Sequence, residues 1–254
     1  MQRARGFTLI ELVVVIVLLG ITAVTMALLF TGSVSGYIDT SRRADSAASA
    51  RVALDRMGRE LREAMPLSIR VSGGCIQFLP ILGGSIYTTF PVNTTIIPVL
   101  DFTWQASAPM YAAIYPVTTS ELYSLQSMRL ISNIGAASGS VRNITLSSTS
   151  TYSHRSPAER VYILGNPVSY CFQSGAINRY QSAVTATQPA PAAMGTAALL
   201  IDNLDLANSS FNYSLGNWNA NGLVDIALTI SRNSSSGAAE TLKLDHAVWI
   251  RNVQ

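Results

Sequence analysis

One carboxylate within an apolar stretch has the clearest chemical consequence in this sequence. Glu11 stands in the run Phe-Thr-Leu-Ile-Glu-Leu-Val, and no other formal charge follows until Asp39. A charged side chain at bilayer depth costs several kcal/mol unless it is paired, so such a residue indicates a function. Two cations, Arg3 and Arg5, precede it in a short polar segment. The pattern therefore predicts that Glu11 has a positively charged partner.

Catalytic and metal-binding patterns are weak elsewhere. His154 and His246 are isolated from each other in sequence, and no nucleophile elbow, HExxH motif or P-loop occurs. Residues 217–225 are similar to a calcium loop, but neutral amides replace most of the carboxylates, so a turn is favoured over a calcium site. We therefore expect no enzyme activity, no metal and no cofactor.

The three tryptophans could form either a sugar-binding platform or ordinary packing. Trp104, Trp218 and Trp249 are widely separated, and their surroundings favour positions in the core or at the edge of a domain.

Two cysteines, Cys75 and Cys171, lie far apart and lack CxxC or metal-ligand spacing. They are either reduced buried thiols or, if the domain lies outside the cytoplasm, a disulfide. The disulfide would close a loop of about 95 residues and stabilise the fold by roughly 4 kcal/mol in the chain-entropy model. The sequence favours the disulfide.

A long helix must position Glu11. Residues 12–38 carry no formal charge before Asp39 and would reach roughly 40 Å as a helix, longer than a hydrocarbon core of about 30 Å. The cations at Arg3 and Arg5 place its start on the cytoplasmic side. From Tyr37 to Met65 the pattern becomes amphipathic, with an apolar face and opposite charges four residues apart, and Pro66 predicts the end of the helix at Met65.

Residues 66–254 have the alternation and turn residues of a β-rich domain. Hairpins are predicted over 68–79 and 168–180, a strand over 160–164, and two paired strands over 223–230 and 241–250. A short helix is predicted over 121–129, and residues 181–195 are predicted to be an irregular loop. The expected fold class is α+β: a long N-terminal helix packed on an antiparallel-sheet head. Only 12% of residues are charged and the net charge is +3, which gives no electrostatic basis for binding nucleic acid.

The N-terminal residues resemble a known motif. Arg-Gly-Phe-Thr-Leu-Ile-Glu-Leu at 5–12 is similar to the leader and mature N-terminus of type IV pilins and type II secretion pseudopilins. The resemblance implies a leader at 1–6, cleavage between Gly6 and Phe7 by a prepilin peptidase, and N-methylation of Phe7. It also implies that Glu11 pairs with the Phe7 ammonium of a neighbouring subunit. Residues 7–36 would be the membrane and fibre-core helix, and 37–65 its amphipathic continuation.

The head also resembles those of the larger minor pilins, of the PilW and pseudopilin J type, including proteins of the mannose-sensitive haemagglutinin pilus system. The resemblance is carried by the hairpin from Tyr170 to Arg179 and the terminal Arg251-Asn252. It implies a minor pilin at or near the pilus tip, with other minor pilins, the major pilin and an inner-membrane assembly platform as partners. Before assembly the helix would lie in the bilayer of the bacterial inner membrane with the head in the periplasm.

An alternative remains open from the residues themselves. A signal-anchored receptor or adhesin, whose head binds a ligand and which never enters a fibre, would have the same charge and hydropathy pattern at its N-terminus. Such a protein would retain Met1.

Overall fold

The computed structural model describes residues 8–216, 221–234 and 237–250. Contacts divide the chain into two units, one formed by Met1–Ala48 and Arg232–Glu240 and the other by Ser49–Ser231 and Thr241–Gln254. The elements follow in chain order: α1 (Leu9–Arg62), β1 (Arg70–Ser72), β2 (Cys75–Phe78), β3 (Ile81–Ile86), β4 (Ile96–Leu100), β5 (Tyr111–Ala113), α2 (Thr119–Tyr123), β6 (Met128–Ile134), β7 (Val141–Leu146), β8 (Arg160–Leu164), β9 (Val168–Gln173), β10 (Ala176–Gln181), β11 (Ala198–Ile201), β12 (Ser210–Ser214), β13 (Gly222–Asn233) and β14 (Ala239–Ile250).

The long helix α1 ends three residues earlier than the sequence predicts. The prediction from Pro66 placed the boundary at Met65, but the last helical residue is Arg62. The following residues pair with the chain after β2 instead. Met65 N donates to Leu79 O (2.8 Å) and Ile81 N donates to Glu63 O (3.0 Å). These bonds satisfy backbone groups that would otherwise extend the helix, so tertiary pairing sets the boundary.

The amphipathic part of α1 packs into the larger unit as predicted. Its apolar face is buried and joins one hydrophobic core with strands of two sheets; the buried helical residues are Ala50, Ala53, Leu54, Met57 and Leu61. The predicted pair Arg56–Glu60 forms, with Nε of Arg56 3.2 Å from Glu60 Oε1. The α+β fold class, a long apolar N-terminal helix packed on antiparallel sheets, is thus confirmed.

A five-stranded sheet in the order β1-β2-β9-β10-β11 contains both predicted hairpins. The turn Gly73-Gly74 joins β1 to β2, and both glycines have positive φ (57° and 74°), a backbone region that glycine enters without steric cost. Ser174-Gly175 joins β9 to β10 in the same way. The turn residues therefore specified these hairpins from sequence.

A six-stranded sheet, in the order β3-β8-β5-β6-β7-β4, closes on itself. Its two edge strands meet because Tyr87, just after β3, forms a bridge with Val99 of β4. Thr88 N also donates to Pro98 O (2.9 Å). A hydrophobic core that includes Tyr87, Ile97, Val99, Ile144 and Ile163 fills the interior. This contact pairs part of the two edges and leaves less edge for unwanted pairing.

One predicted helix is wrong in extent. The sequence predicts helix over 121–129, but α2 covers only Thr119–Tyr123, capped by the Thr118 side chain, which accepts from Glu121 N. Met128 and Arg129 belong instead to β6, where they pair with Ala113 and Ala112 of β5. A β-sheet partner distant in sequence overrode the local pattern.

The third sheet has the order β12-β13-β14. Its last two strands are the ones predicted over 223–230 and 241–250. The first begins one residue earlier and ends three residues later than predicted, and the second begins two residues earlier. Within the smaller unit, Arg43 and Glu240 form a two-point ion pair, with Arg43 Nε 2.7 Å from Glu240 Oε2. The Arg43 guanidinium lowers the pKa of the Glu240 carboxyl.

Candidate functional site

The cleavage and methylation positions lie outside the described residues. Arg3, Arg5, Gly6 and Phe7 fall in the segment 1–7, and the description begins at Thr8. Cleavage after Gly6 and methylation of Phe7 therefore stay predictions.

Glu11 lies in the first turn of α1. Thr8 precedes the helix, and its Oγ1 lies 3.4 Å from Glu11 N, with Thr8 O also accepting from Glu11 N (3.1 Å). The spacing Thr8-x-x-Glu11 is that of a capping box, a signal that sequence reasoning overlooked. At this position the carboxylate faces the positive end of the helix dipole. The chain itself thus offsets part of the electrostatic cost of Glu11 before any partner binds.

The helix after Glu11 is apolar and uncovered. Every described side chain from Leu9 to Phe30 is exposed, and the helix is long and apolar enough to cross a membrane by length and composition. Its hydroxyl groups bond to the helix itself: Thr22 Oγ1 donates to Leu18 O (3.0 Å) and Thr25 Oγ1 to Ile21 O (3.1 Å). Such bonds leave few polar groups unsatisfied in lipid or against another helix. The surface of this segment is therefore suited to an apolar environment.

Cys75 and Cys171 form a disulfide between directly opposite positions of β2 and β9. Both are buried with Tyr180 and Met194. The loop after β10, predicted to be irregular, covers the bond; its Gln188 donates through Nε2 to Cys75 O (3.1 Å). The disulfide is therefore part of the core of the head and not an accessible redox group.

Arg70, the first residue of β1, has a lowered pKa for which the structure gives an explanation. The Arg70 guanidinium lies 3.6 Å from the centre of the Tyr123 ring, and burial lowers the pKa of Arg70 and raises that of Tyr123. Shifted pKa values often mark functional sites. Here, however, Arg70 donates to Gln77 Oε1 and to the backbone oxygens of Thr185 and Ala186. These contacts fasten the loop after β10 to the sheet.

The two histidines do not share neighbours. His154 Nε2 lies 3.5 Å from Glu121 Oε1. His246, on β14, packs near Gly58 of α1, and its Nε2 is buried without a hydrogen-bond partner among the described atoms. No group of three or more His, Cys, Asp or Glu side chains within the described ranges is arranged to hold a metal ion. Part of the possible calcium loop, residues 217–220, lies outside those ranges.

The tryptophans differ in environment. Trp249 is 61% exposed on β14, Trp104 is partly buried beside Phe102, and Trp218 lies outside the described residues. Neither described tryptophan belongs to a main hydrophobic core, and Trp249 lies on β14, an edge strand of its sheet.

Comparison with known families gives one match. Residues 1–27 match the prokaryotic N-terminal methylation motif, which covers the segment that contains Gly6, Phe7 and Glu11. The match supports a type IV pilin-like or pseudopilin-like protein, and it points to a structural pilin family and not to an enzyme. It also implies contact with a prepilin peptidase and with pilus assembly machinery. No curated protein and no solved structure matches the chain.

Proposed function

We propose that this protein is a minor pilin of a type IV pilus of the mannose-sensitive haemagglutinin (MSHA) type, with the role of the pilus biogenesis protein MshO. It is anchored in the bacterial inner membrane with its head in the periplasm, and it then enters the fibre at or near the tip, where it helps to initiate assembly. One observation carries the proposal: the methylation motif at residues 1–27 overlaps the start of a helix of 54 residues that is apolar and exposed from Leu9 to Phe30.

Burial of that exposed surface favours placement of the helix in a membrane or in a fibre over exposure to water. Apolar area removed from water stabilises by about 25 cal/mol per Å², so a long helix that is exposed and apolar requires lipid or other helices around it. A bilayer supplies this environment before assembly, and the helices of neighbouring subunits supply it afterwards. The proposed division is a leader at 1–6, a membrane and fibre-core helix at 7–36, an amphipathic continuation at 37–65 and a head at 66–254.

Glu11 fixes how far the helix is shifted along its axis relative to the helix of the neighbouring subunit. After cleavage the amino group of Phe7 on a neighbouring subunit is a cation at the edge of the membrane, and its pairing with Glu11 compensates the desolvation of both charges. Thr8 caps the backbone at Glu11, and the positive end of the helix dipole stabilises the unpaired carboxylate until that partner arrives. Because Glu11 needs a subunit ahead of it, we place this chain beneath another minor pilin and not at the extreme tip.

The large head favours a minor subunit. Three sheets and a disulfide form a domain that would be hard to repeat along a tightly packed fibre. The head therefore suits a position where few copies are needed.

The test compares two neutral substitutions. Glu11→Gln removes the docking charge in the first turn of the helix, whereas Glu63→Gln changes an exposed acid one residue beyond the end of the same helix. We expect both variants to reach the membrane, but only Glu11→Gln to reduce incorporation into sheared fibres and the number of pili. Normal piliation and incorporation in Glu11→Gln would refute the docking role.

Intact-mass measurement separates this proposal from the signal-anchored alternative. A mature chain that begins with N-methylated Phe7 supports the pilin. A chain that still begins at Met1, in cells with an active prepilin peptidase, would overturn the proposal in favour of an anchored receptor or adhesin.

A further inference from the structure

One long strand edge of the head has no partner. β14 (Ala239–Ile250) is the last strand in the order β12-β13-β14, and no strand within the described ranges pairs with its outer side. In an antiparallel ladder the N–H and C=O groups of every second residue point to the same side, so about half of the backbone groups of β14 face away from β13. A long edge of this kind is a template for another strand. The proposed pilin function leaves it without a role.

The solvent face of β14 carries two opposite charges. Lys243 is the only lysine of the sequence, and Asp245 follows two positions later on the same face of the strand. Both side chains are exposed, and neither forms a hydrogen bond or an ion pair with another described residue. The pKa of Asp205 is lowered chiefly by its hydrogen bond from Asn208, and Lys243 adds only a smaller electrostatic contribution. A lone lysine on an edge strand discourages pairing with other strands, but here Asp245 balances its charge.

The two charges lie symmetrically about the middle of the strand. When two copies of β14 pair antiparallel with Leu244 at the centre, Lys243 of each copy lies opposite Asp245 of the other. The same register places Ala239 opposite Trp249, so every residue between these two has a partner. It also brings the outward-pointing backbone groups of one copy against those of the other, as an antiparallel ladder requires. The edge is therefore complementary to itself, which is the property of a two-fold contact between identical chains.

Neighbouring registers and other edges of the head fit β14 less well. A shift of the pairing by two residues brings Lys243 opposite Lys243 or Asp245 opposite Asp245, and like charges at directly opposite positions destabilise a strand pair. The edge strands β1, β11 and β12 have only three, four and five residues. Of the described edges, β14 itself thus matches the length and the charges of β14 best.

We propose that β14 is a contact between two copies of this chain, in which the two β14 strands pair antiparallel about Leu244. The contact joins two three-stranded sheets into one sheet and places two opposite-charge pairs, Lys243 with Asp245, on its solvent face. It also occupies an edge that would otherwise be open to unwanted strands. The contact uses neither the methylation motif nor Glu11, so it stands or falls independently of the proposed pilin function.

The test measures the dimerisation of the full chain by sedimentation equilibrium in a detergent of matched density. Lys243→Asp and Asp245→Lys each place like charges opposite each other twice in the symmetric pair. An equimolar mixture of the two variants restores both opposite-charge pairs, but only between one copy of each variant. Arg51→Asp and Glu63→Lys reverse exposed charges outside β14 and are the matched controls. All variants keep the apolar helix, so association through that helix would be the same in each of them.

A second measurement needs no substitution. Copies labelled with nitrogen-15 are mixed with unlabelled copies and treated with a carbodiimide, which joins an amine directly to a carboxylate. Because Lys243 is the only lysine of the sequence, a cross-linked peptide pair with one labelled and one unlabelled member identifies its partner in the other copy. We expect that partner to be Asp245.

We expect the unaltered protein and both controls to dimerise with the same dissociation constant. Each charge reversal in β14 should raise that constant at least about tenfold, because two attractive pairs become two repulsive ones, and the mixture should recover the original value. The proposal is overturned if the unaltered chain is monomeric at about 100 μM, far above a micromolar dissociation constant. It is equally overturned if the β14 variants dimerise like the controls, if the mixture does not recover, or if Lys243 forms no cross-link to Asp245 of the other copy. The cross-link decides the matter even if a charge-reversed variant fails to fold.

Discussion

Removal of the Cys75–Cys171 disulfide should destabilise the head strongly. The two cysteines are separated by 96 positions in sequence and close a loop through β2 and β9. For a loop of about 100 residues, the chain-entropy model gives a stabilisation of about 4.7 kcal/mol. Domains of ordinary size have a total free energy of unfolding of about 5–15 kcal/mol. The bond therefore accounts for a large share of the stability of the head.

The perturbation is made in two ways, which separate loop closure from packing. Cys75→Ala combined with Cys171→Ala removes both the bond and the buried sulfur atoms, whereas reduction of the unaltered protein removes the bond but keeps both sulfurs. We expect the two to lose similar stability, with the alanine variant lower by the smaller cost of the cavity. Cys75→Ala alone should cost about as much as the double substitution, because the loop is opened only once.

Urea unfolding of the full chain in detergent, followed by near-ultraviolet circular dichroism, measures these differences. With a urea slope of about 2–3 kcal/mol per M, a loss of about 4.7 kcal/mol lowers the midpoint by roughly 2 M. If the reduced protein keeps the midpoint of the oxidised one, the loop-closure reasoning is refuted. A loss confined to the alanine variants would assign the stability to packing alone.

Three further predictions concern packing, charge and pH. Gly83→Ala should lower the free energy of unfolding by about 1–3 kcal/mol because its Cβ would lie 2.9 Å from Trp104 Cβ and 3.0 Å from Thr103 O. Gly84→Ala, whose Cβ would have no neighbouring atom nearer than 3.4 Å, should change it by less than about 0.5 kcal/mol; equal effects in urea unfolding would contradict the contact. Glu60→Ala should cost about 1–2 kcal/mol because it leaves the partly buried Arg179, now 3.0 Å from Glu60 Oε2, without its partner, and exposed Glu63→Ala should cost far less in the same assay. Burial raises the pKa of Tyr123 and Tyr152, so folding favours their neutral form: stability should be unchanged below the unfolded pKa of about 10 and fall above it by up to about 1.4 kcal/mol per pH unit for each residue. Tyr152→Phe should reduce this alkaline slope; unfolding free energies measured from pH 8 to 11 that show the same slope in this variant and in the unaltered protein would disprove the assignment.

The sequence by itself determined the features that depend on neighbouring residues. The methylation motif follows from residue type and spacing. The apolar run after Glu11 and the buried face from Ala50 to Leu61 follow from residue type and helical period, and the helix shows both. The hairpins at Gly73-Gly74 and Ser174-Gly175 follow from turn residues that permit positive φ. The spacing of Thr8 and Glu11 was equally readable, although its capping role was overlooked.

Tertiary structure decided the features that depend on residues far apart in the chain. The end of α1 at Arg62, the strand at Met128 and the closure of β3 onto β4 each require a backbone partner that local periodicity does not specify. The same holds for the alignment of Cys75 with Cys171 and for the contacts of Trp104 with Gly83 and Arg142, which come from three separate segments. Side-chain pattern fixes which face of an element is apolar, but it is the pairing of backbone groups and the filling of shared cores that select which faces and edges meet.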